Sequence, residues 1–194
     1  DFLKSLNIEV VKLYCEPNGN FPHNPEPLKK NLTQLSKKVI DTNADLGIAV
    51  DPDVDRLVFV CENGEIFGEE NTLVACSDYV LEKSPGSTVS NLSSSRALAD
   101  ITKKHNQIHF YSAVGEVNVV KKMKECSAVI GGEGNGGVIY PKSHYGRDAL
   151  VGIGLFLSLF VERGLRASQL LDTYPKYYML KEKVNISSKL NVDK

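Results

Sequence analysis

The chain carries almost no net charge: 23 Lys and Arg stand against 24 Asp and Glu over 194 residues, a balance of −1. Binding to a phosphate backbone needs a surplus of basic groups or a local run of them. Neither is present, which argues against nucleic acid as a partner. Cysteine is scarce too. Cys15, Cys61, Cys76 and Cys126 lie far apart, with no C-x-x-C pair and no His at zinc-ligand spacing, so neither a disulfide framework nor a zinc site is offered. They read as the reduced thiols of a cytoplasmic protein. Long apolar runs are missing as well. The longest, Ala149 to Val161, falls short of the roughly 20 residues a membrane span needs and is interrupted by Gly152, Gly154 and Ser158. It reads as a helix buried inside a fold, with no membrane as partner. There is no low-complexity tract and no solenoid repeat. What is there, 42% hydrophobic and 24% charged residues, is the composition of a globular chain long enough for one large domain or two small ones. The chain starts at Asp1 without an apolar signal core and ends on the polar stretch Asn185 to Lys194, so the expectation is a piece of something longer.

Strand and helix signals alternate. Ile8 to Tyr14 is β-branched and apolar and predicts a strand, followed by a Pro/Asn/Gly-rich loop from Glu16 to Pro27. Leu28, Leu32, Leu35 and Val39 recur at helical spacing, with Pro27 near the first helical position. Leu46 to Val50 and Leu57 to Cys61 predict two strands, the second closing at the turn Asn63-Gly64. Further helices are expected over Glu69 to Lys83, Ser94 to Lys104, Glu116 to Lys124, Asp148 to Arg163 and Ala167 to Tyr174. Strands are expected at Thr88 to Ser90, Ile108 to Tyr111, Ala128 to Ile130, Val138 to Tyr140 and Met179 to Val184. This alternation implies α/β layers with substantially parallel sheets.

Two loops carry chemistry. The first is DPDVDR, in which Asp51, Asp53 and Asp55 alternate between two strands. Their carboxylates can converge on one point, where they repel unless a cation neutralises them, and all-oxygen ligands suit Mg²⁺ or Ca²⁺. Arg56 beside them can pair with a carboxylate or reach a phosphate in bidentate fashion. A solvated acidic loop is the plainer reading. An EF-hand fails because its sixth position requires Gly and holds Arg56, and strands rather than helices flank it.

The second is GGEGNGG, Gly131 to Gly137, expected as a loop between strands. Its only functional side chains are Glu133 and Asn135, the carboxylate and amide that sugar hydroxyls need, on a backbone that admits close approach. A dinucleotide site is a weak reading, because a strand and Pro141, not a helix, follow. A plain hairpin is the structural alternative. Arg96, after Ser93, Ser94 and Ser95, stands near a helix start where hydroxyls and N–H groups cap the helix or bind an anion. Arg147 and Asp148 precede the apolar helix and either pair with each other or hold substrate. His23, His105, His109 and His144 form no cluster in the sequence.

VDPDVDRL at Val50 to Leu57, AVGEVNVVKKM at Ala113 to Met123, VIGGEGNGGVIYP at Val129 to Pro141 and HYGRDAL at His144 to Leu150 together, and in this order, resemble the α-D-phosphohexomutase family of phosphoglucomutases, phosphomannomutases and phosphoglucosamine mutases. The resemblance covers nearly the whole chain. It implies two consecutive three-layer α/β/α domains with mixed, mostly parallel sheets: residues 1–64 as the C-terminal part of the second family domain, and 65–194 as the third plus the start of a linker. The first domain, with its phosphoserine loop, and the fourth, phosphate-binding domain would be the partners missing from this chain. FPHNP at Phe21 to Pro25 is only superficially like the serine loop, having Pro22 where the serine would be.

Carried over by residue, the resemblance implies Mg²⁺ on Asp51, Asp53 and Asp55, Arg56 beside the transferring phosphoryl group, and Glu133 on the sugar hydroxyls. Asn135, Arg147 and Arg96 are the further substrate-binding candidates. The implied reaction passes phosphate from serine to a sugar phosphate, through a sugar 1,6-bisphosphate that also serves as activator, and back. Three departures stand out: Val54 where many members have glycine, Asn135 where serine is usual, and Ala113 where many carry lysine. Glu116, His144 and Lys142 are then the candidates for proton transfer. A D-x-D metal-dependent glycosyltransferase and a non-catalytic sugar-phosphate-binding protein are the alternatives.

Overall fold

The computed structural model describes residues 2–180. After a short helix α1 (Phe2–Ser5) the chain runs without regular structure to a single 3-10 turn at Lys29–Asn31, then forms α2 (Thr33–Thr42). Strands β1 (Leu46–Val50) and β2 (Leu57–Cys61) follow as an antiparallel pair, with Leu46 opposite Cys61 and Val50 opposite Leu57. They flank the acidic loop, and the turn at Asn63-Gly64 forms as the sequence predicts, with Gly64 N–H donating to the Cys61 carbonyl at 2.8 Å.

The rest is a layered α/β unit: α3 (Glu69–Lys83), β3 (Thr88–Asn91), α4 (Ala97–Lys104), β4 (His109–Ser112), α5 (Glu116–Glu125), β5 (Ile130–Glu133), β6 (Gly137–Ile139), α6 (Ala149–Arg163) and α7 (Ala167–Asp172). Its sheet has the order β4-β3-β5-β6. The β3 pairings with β4 and β5 are parallel, and β5 with β6 is antiparallel, so the sheet is mixed and mostly parallel. Alternation along the strands separates two cores, since successive residues face opposite sides. Ile130 and Val138 join α3, α4 and α6 in the larger core, whereas Val89 and Ile139 pack with Val119 and Met123 of α5 on the other face. β2 is buried along its whole length and enters the larger core through Leu57, Phe59 and Cys61. There Phe59 stacks on Phe156 of α6 with ring centroids 3.7 Å apart.

Several sequence expectations need correction. Ile8 to Tyr14 forms no strand: Val11 and Tyr14 are 49% and 47% exposed, and no described segment offers the partner that a β-branched run needs. The helix expected from Leu28 breaks at Leu32, which is buried at φ −101°, ψ 8° between the 3-10 turn and α2. α4 starts at Ala97 and not Ser94, because Ser93 N–H and Ser94 Oγ both donate to the Asn91 side-chain carbonyl and hold the serines in a turn. The strand expected at Ala128 begins at Ile130 and extends through Glu133, so the glycine loop shrinks to residues 134–136. Glycine backbones still make ladder bonds, and β5 has partners on both edges. α6 buries one face only, leaving Leu150 48% and Val161 77% exposed. Met179 and Leu180 form no strand, and the remainder of that expected strand lies outside the described residues. Among the described residues no helix is long and apolar enough to cross a membrane.

Candidate functional site

The acidic loop is shaped by Asp51. This side chain, 7% exposed, accepts the backbone N–H groups of Asp55 at 3.1 Å and Arg56 at 3.0 Å on a single oxygen, Oδ1, which curls the chain back on itself. Val54 closes the curl at φ +59°, the left-handed region that favours glycine, and its carbonyl is tied to Ala149 N–H at the start of α6 at 3.1 Å. Asp51, Asp53 and Asp55 thereby bring one carboxylate oxygen each to within 4.8 Å of one another. Burial, opposed by Arg147 and reinforced by Asp51 and Asp53, pushes the Asp55 carboxyl up to about 6. Its Oδ1 is buried without a hydrogen-bond partner. An orphaned carboxylate oxygen beside two further acids is the donor set a hard divalent cation takes, so these residues fit Mg²⁺. Arg56 lies along the loop, its Nε 3.5 Å from Asp51 Oδ2 and 3.9 Å from Asp55 Oδ1, and reaches Glu26 at 3.5 Å.

The glycine hairpin lies against this loop. Leu57 N–H, at the end of the acidic turn, donates to the Gly136 carbonyl at 3.1 Å. Glu133, 5% exposed, is held on both oxygens: Oε1 accepts Asn91 Nδ2 at 2.6 Å and Gly115 N–H at 3.3 Å, and Oε2 accepts Arg147 at 2.8 Å. Asn135 turns its side-chain carbonyl onto Gly137 N–H at 3.2 Å. Glu133, Gly134 and Asn135, with Asn91, Ser93 and Val114, line a cavity of about 110 Å³.

Arg147 joins the two loops. Its guanidinium bonds Asp55 Oδ2 and Glu133 Oε2, and its Nε lies 3.4 Å from Glu116 Oε2, while its backbone N–H donates to Glu116 Oε1 at 3.0 Å. Arg147 and Asp148 therefore do not pair with each other. Asp148 caps α6, accepting Leu150 and Val151 N–H at 2.8 and 3.0 Å, and holds His144 at 2.8 Å; these bonds lower its pKa against the opposing effect of burial. Of the proton-transfer candidates only Glu116 reaches this cluster, because Lys142 donates to Ser84 at 2.9 Å. Arg96 is exposed, and among the described residues it makes no ion pair with the clustered acids. Its neighbours do take part: Ser94 Oγ accepts Gly134 N–H at 2.9 Å, and Ser95 N–H donates to Glu70 at 2.9 Å. Asn91, Ser94 and Gly115 are site residues that residue type alone does not reveal. The signal available for Asn91 is its place at the carboxyl end of a parallel strand, where ligands bind in open α/β sheets.

Fold and site together define a layered α/β/α architecture in which an acidic loop and a glycine hairpin lie side by side, and comparison with known proteins places it in a family. Residues 1–64 match the phosphoglucomutase/phosphomannomutase alpha/beta/alpha domain II, and residues 69–177 match domain III of the same family. The chain is 37% identical over 186 residues, 95% of its length, to a phosphoglucomutase/phosphomannomutase of Thermococcus kodakarensis. It is 30% identical over 184 residues, 91% of its length, to a phosphoglucosamine/phosphogalactosamine mutase of Sulfurisphaera tokodaii. It spans 41% and 40% of those two proteins. A crystal structure of a phosphoglucomutase/phosphomannomutase family protein from Burkholderia thailandensis superposes with a TM-score of 0.80 at 31% identity, over 89% of this chain and 38% of that one. The chain belongs to the α-D-phosphohexomutase (phosphoglucomutase/phosphomannomutase) family.

Proposed function

We propose that this chain is the metal-holding and sugar-recognising part of a Mg²⁺-dependent phosphohexomutase. The complete protein would interconvert hexose or hexosamine 1- and 6-phosphates through a phosphoserine and a sugar bisphosphate. Residues 1–64 belong to the second family domain and 65–194 to the third in this reading. The observation that supports it most directly is the wiring of the three-aspartate loop to the Glu133 hairpin through Arg147, which sets the clustered carboxylates beside the glycine hairpin.

Asp51, Asp53 and Asp55 hold the metal. When bound, Mg²⁺ supplies neutralisation of the charge that develops on phosphoryl oxygens during transfer. Arg56 adds a guanidinium on the same side, suited to the equatorial oxygens of the transferring group. Glu133, pinned by Asn91, Gly115 and Arg147, presents a fixed carboxylate to the sugar hydroxyls, with Asn135 beside it. A rigid acceptor of this kind fixes which hydroxyl faces the phosphoryl group, and that orientation is the main service positioning renders to phosphoryl transfer. Arg96, exposed just before α4, serves as an anion contact in this reading.

The test uses the full reading frame that contains this chain, followed by ³¹P NMR with Mg²⁺, a trace of sugar 1,6-bisphosphate, and glucose, mannose or glucosamine phosphates in turn. Conversion between 1- and 6-phosphates, lost on chelation of the metal, is the expected result. The 194-residue chain alone is expected to bind Mn²⁺ without turnover. A folded full-length protein that binds sugar phosphate but converts none of them would make this a binding protein and end the mutase reading.

A further inference from the structure

Most of the molecule's polar clusters serve the fold. Asp78, for example, gathers His105, Tyr174 and Arg163 between helical segments, and Glu62 anchors Ser168 at the start of α7. One cluster does more. We propose that Arg147 is a positioning residue that couples the metal loop to the sugar hairpin, by grasping one oxygen of Asp55 and one oxygen of Glu133 and directing the remaining oxygen of each to its own task. This inference rests on the reading of the three aspartates as a divalent-metal site.

The geometry is divided cleanly. On Asp55, Oδ2 belongs to Arg147 and Oδ1 is buried without a hydrogen bond, 3.9 Å from Arg56 Nε. On Glu133, Oε2 belongs to Arg147 and Oε1 to Asn91 and Gly115. A carboxylate with one oxygen fixed has lost its rotation, so the other oxygen points in one direction. The guanidinium itself is fixed in turn. Arg147 is only 14% exposed at the side chain, donates its backbone N–H to Glu116 Oε1 with its Nε in ion-pair range of Glu116 Oε2 at 3.4 Å, and precedes the capped first turn of α6. Its stem crosses the hairpin at Gly137, where a Cβ would stand 2.4 Å from Arg147 Cδ. The strand therefore leaves this passage open, and the arginine is a built part of the hairpin and not a side chain lying on it.

The electrostatics demand such a group. Asp55, Glu133 and Glu116 all lie within 4 Å of the same guanidinium, whose planar fork presents donors along three separate edges, where an ammonium gathers its three donors on one nitrogen and reaches less far. Partners of this kind, one step removed from the metal, govern ligand orientation, and their loss weakens metal binding by about 10- to 100-fold. A second consequence is specific to coupling. A change at Glu133, in the sugar hairpin, is transmitted to the metal: a guanidinium released from Glu133 closes bidentately on Asp55 and competes for Oδ1.

The experiment measures Mn²⁺ affinity of the 194-residue chain, from the EPR signal of free Mn²⁺, for the wild type, Asp53→Asn, Arg147→Met, Arg147→Lys, Glu133→Gln and the Arg147→Met/Glu133→Gln pair. Thermal melts without metal accompany each, and Arg147→Lys keeps charge and stem should the Met variant fail to fold. Expected are a loss of about 10-fold or more for either Arg147 variant, a smaller loss for Glu133→Gln, and no further loss when Glu133→Gln is added to Arg147→Met. A merely structural arginine would lower the melting temperature without making the Glu133 effect depend on it. If the wild type binds Mn²⁺ and Asp53→Asn weakens it, but Arg147 variants bind as the wild type does or the two substitutions add independently, the coupling is refuted and the metal site stands. If the wild type does not bind, or Asp53→Asn changes nothing, the metal reading falls and takes the coupling with it.

Discussion

Gly136 is a point at which the glycine hairpin touches the end of the acidic loop, and replacing it by alanine tests that contact quantitatively. The residue sits at φ +90° in the turn between β5 and β6 and accepts Leu57 N–H at 3.1 Å. A Cβ there would stand 2.4 Å from Leu57 O and 2.9 Å from Leu57 N. Both are backbone atoms of a fully buried strand, so neither can yield and the hairpin must lift instead. Gly136→Ala thus carries two costs. The left-handed conformation costs about 1 kcal/mol for a residue with a Cβ. Lifting the hairpin breaks the Leu57–Gly136 bond and strands a buried donor, which costs about 1–3 kcal/mol. Together these come to about 2–4 kcal/mol, and at roughly 2–4 °C per kcal/mol the melting temperature falls by about 4–16 °C. Gly164→Ala supplies the control: Gly164 has φ +59°, and a Cβ added there would meet nothing within 4 Å, so it carries the first cost alone. Both variants are melted by circular dichroism, and their Mn²⁺ affinities are compared. If Gly136→Ala melts within about 2 °C of Gly164→Ala, the argument from the Leu57 contact is wrong.

Two further predictions concern stability. Phe156→Ala removes a fully buried ring stacked on Phe59 and edge-on to Phe67 at 5.1 Å, and should cost about 3–5 kcal/mol in urea unfolding with an unchanged m-value, whereas Val161→Ala, 77% exposed on the same helix, should fall within about 0.5 kcal/mol of the wild type. His109 is held between the Thr88 and Ser90 hydroxyls at 2.8 and 3.1 Å, and burial pushes its pKa down to about 4. Its folded pKa lies below the ordinary value of 6.5, so the unfolded chain binds the proton first: no stability is lost above pH 6.5, and up to about 3 kcal/mol is lost as the pH falls from 6.5 to 4. Asp55 acts in the opposite sense, because a carboxyl raised to about 6 makes the folded state the better proton acceptor between pH 6 and 4. His109→Gln should flatten the acid loss relative to the wild type; equal slopes for the two proteins would show that His109 contributes none of it.

The sequence is legible where local signals and tertiary packing agree. Glu69–Lys83 is readable to the residue, since two acids open it and Pro85-Gly86 follow it, and the folded chain contradicts none of these. The acidic loop is readable because its residues are contiguous: a D-x-D-x-D run between apolar strands leaves the carboxylates few places to go. Ile8 to Tyr14 has strand composition without a described partner, and composition does not supply hydrogen bonds. Ser94 and Ser95 resemble helix-opening residues but are drawn toward Asn91 and Glu70. The Arg147–Asp55 pair is illegible from spacing because 92 residues separate its members, and only the fold brings them together. The left-handed Val54 shows the converse, a β-branched residue held where local preference would place glycine by bonds from Asp51 and Ala149 at either end.

The two family segments meet in the sequence between residues 64 and 69, yet β2 ignores that seam. Phe59 on one side stacks on Phe156 on the other, Phe67 fills the space beside them, and Glu62 holds the first turn of α7. A border between two family domains is therefore not a border for melting: both segments are expected to come apart in one cooperative step. A cut at the seam would expose raw apolar faces and not release two autonomous parts. Any hinge motion within this chain must then take its pivot elsewhere, because across this joint it is packed as a single casting.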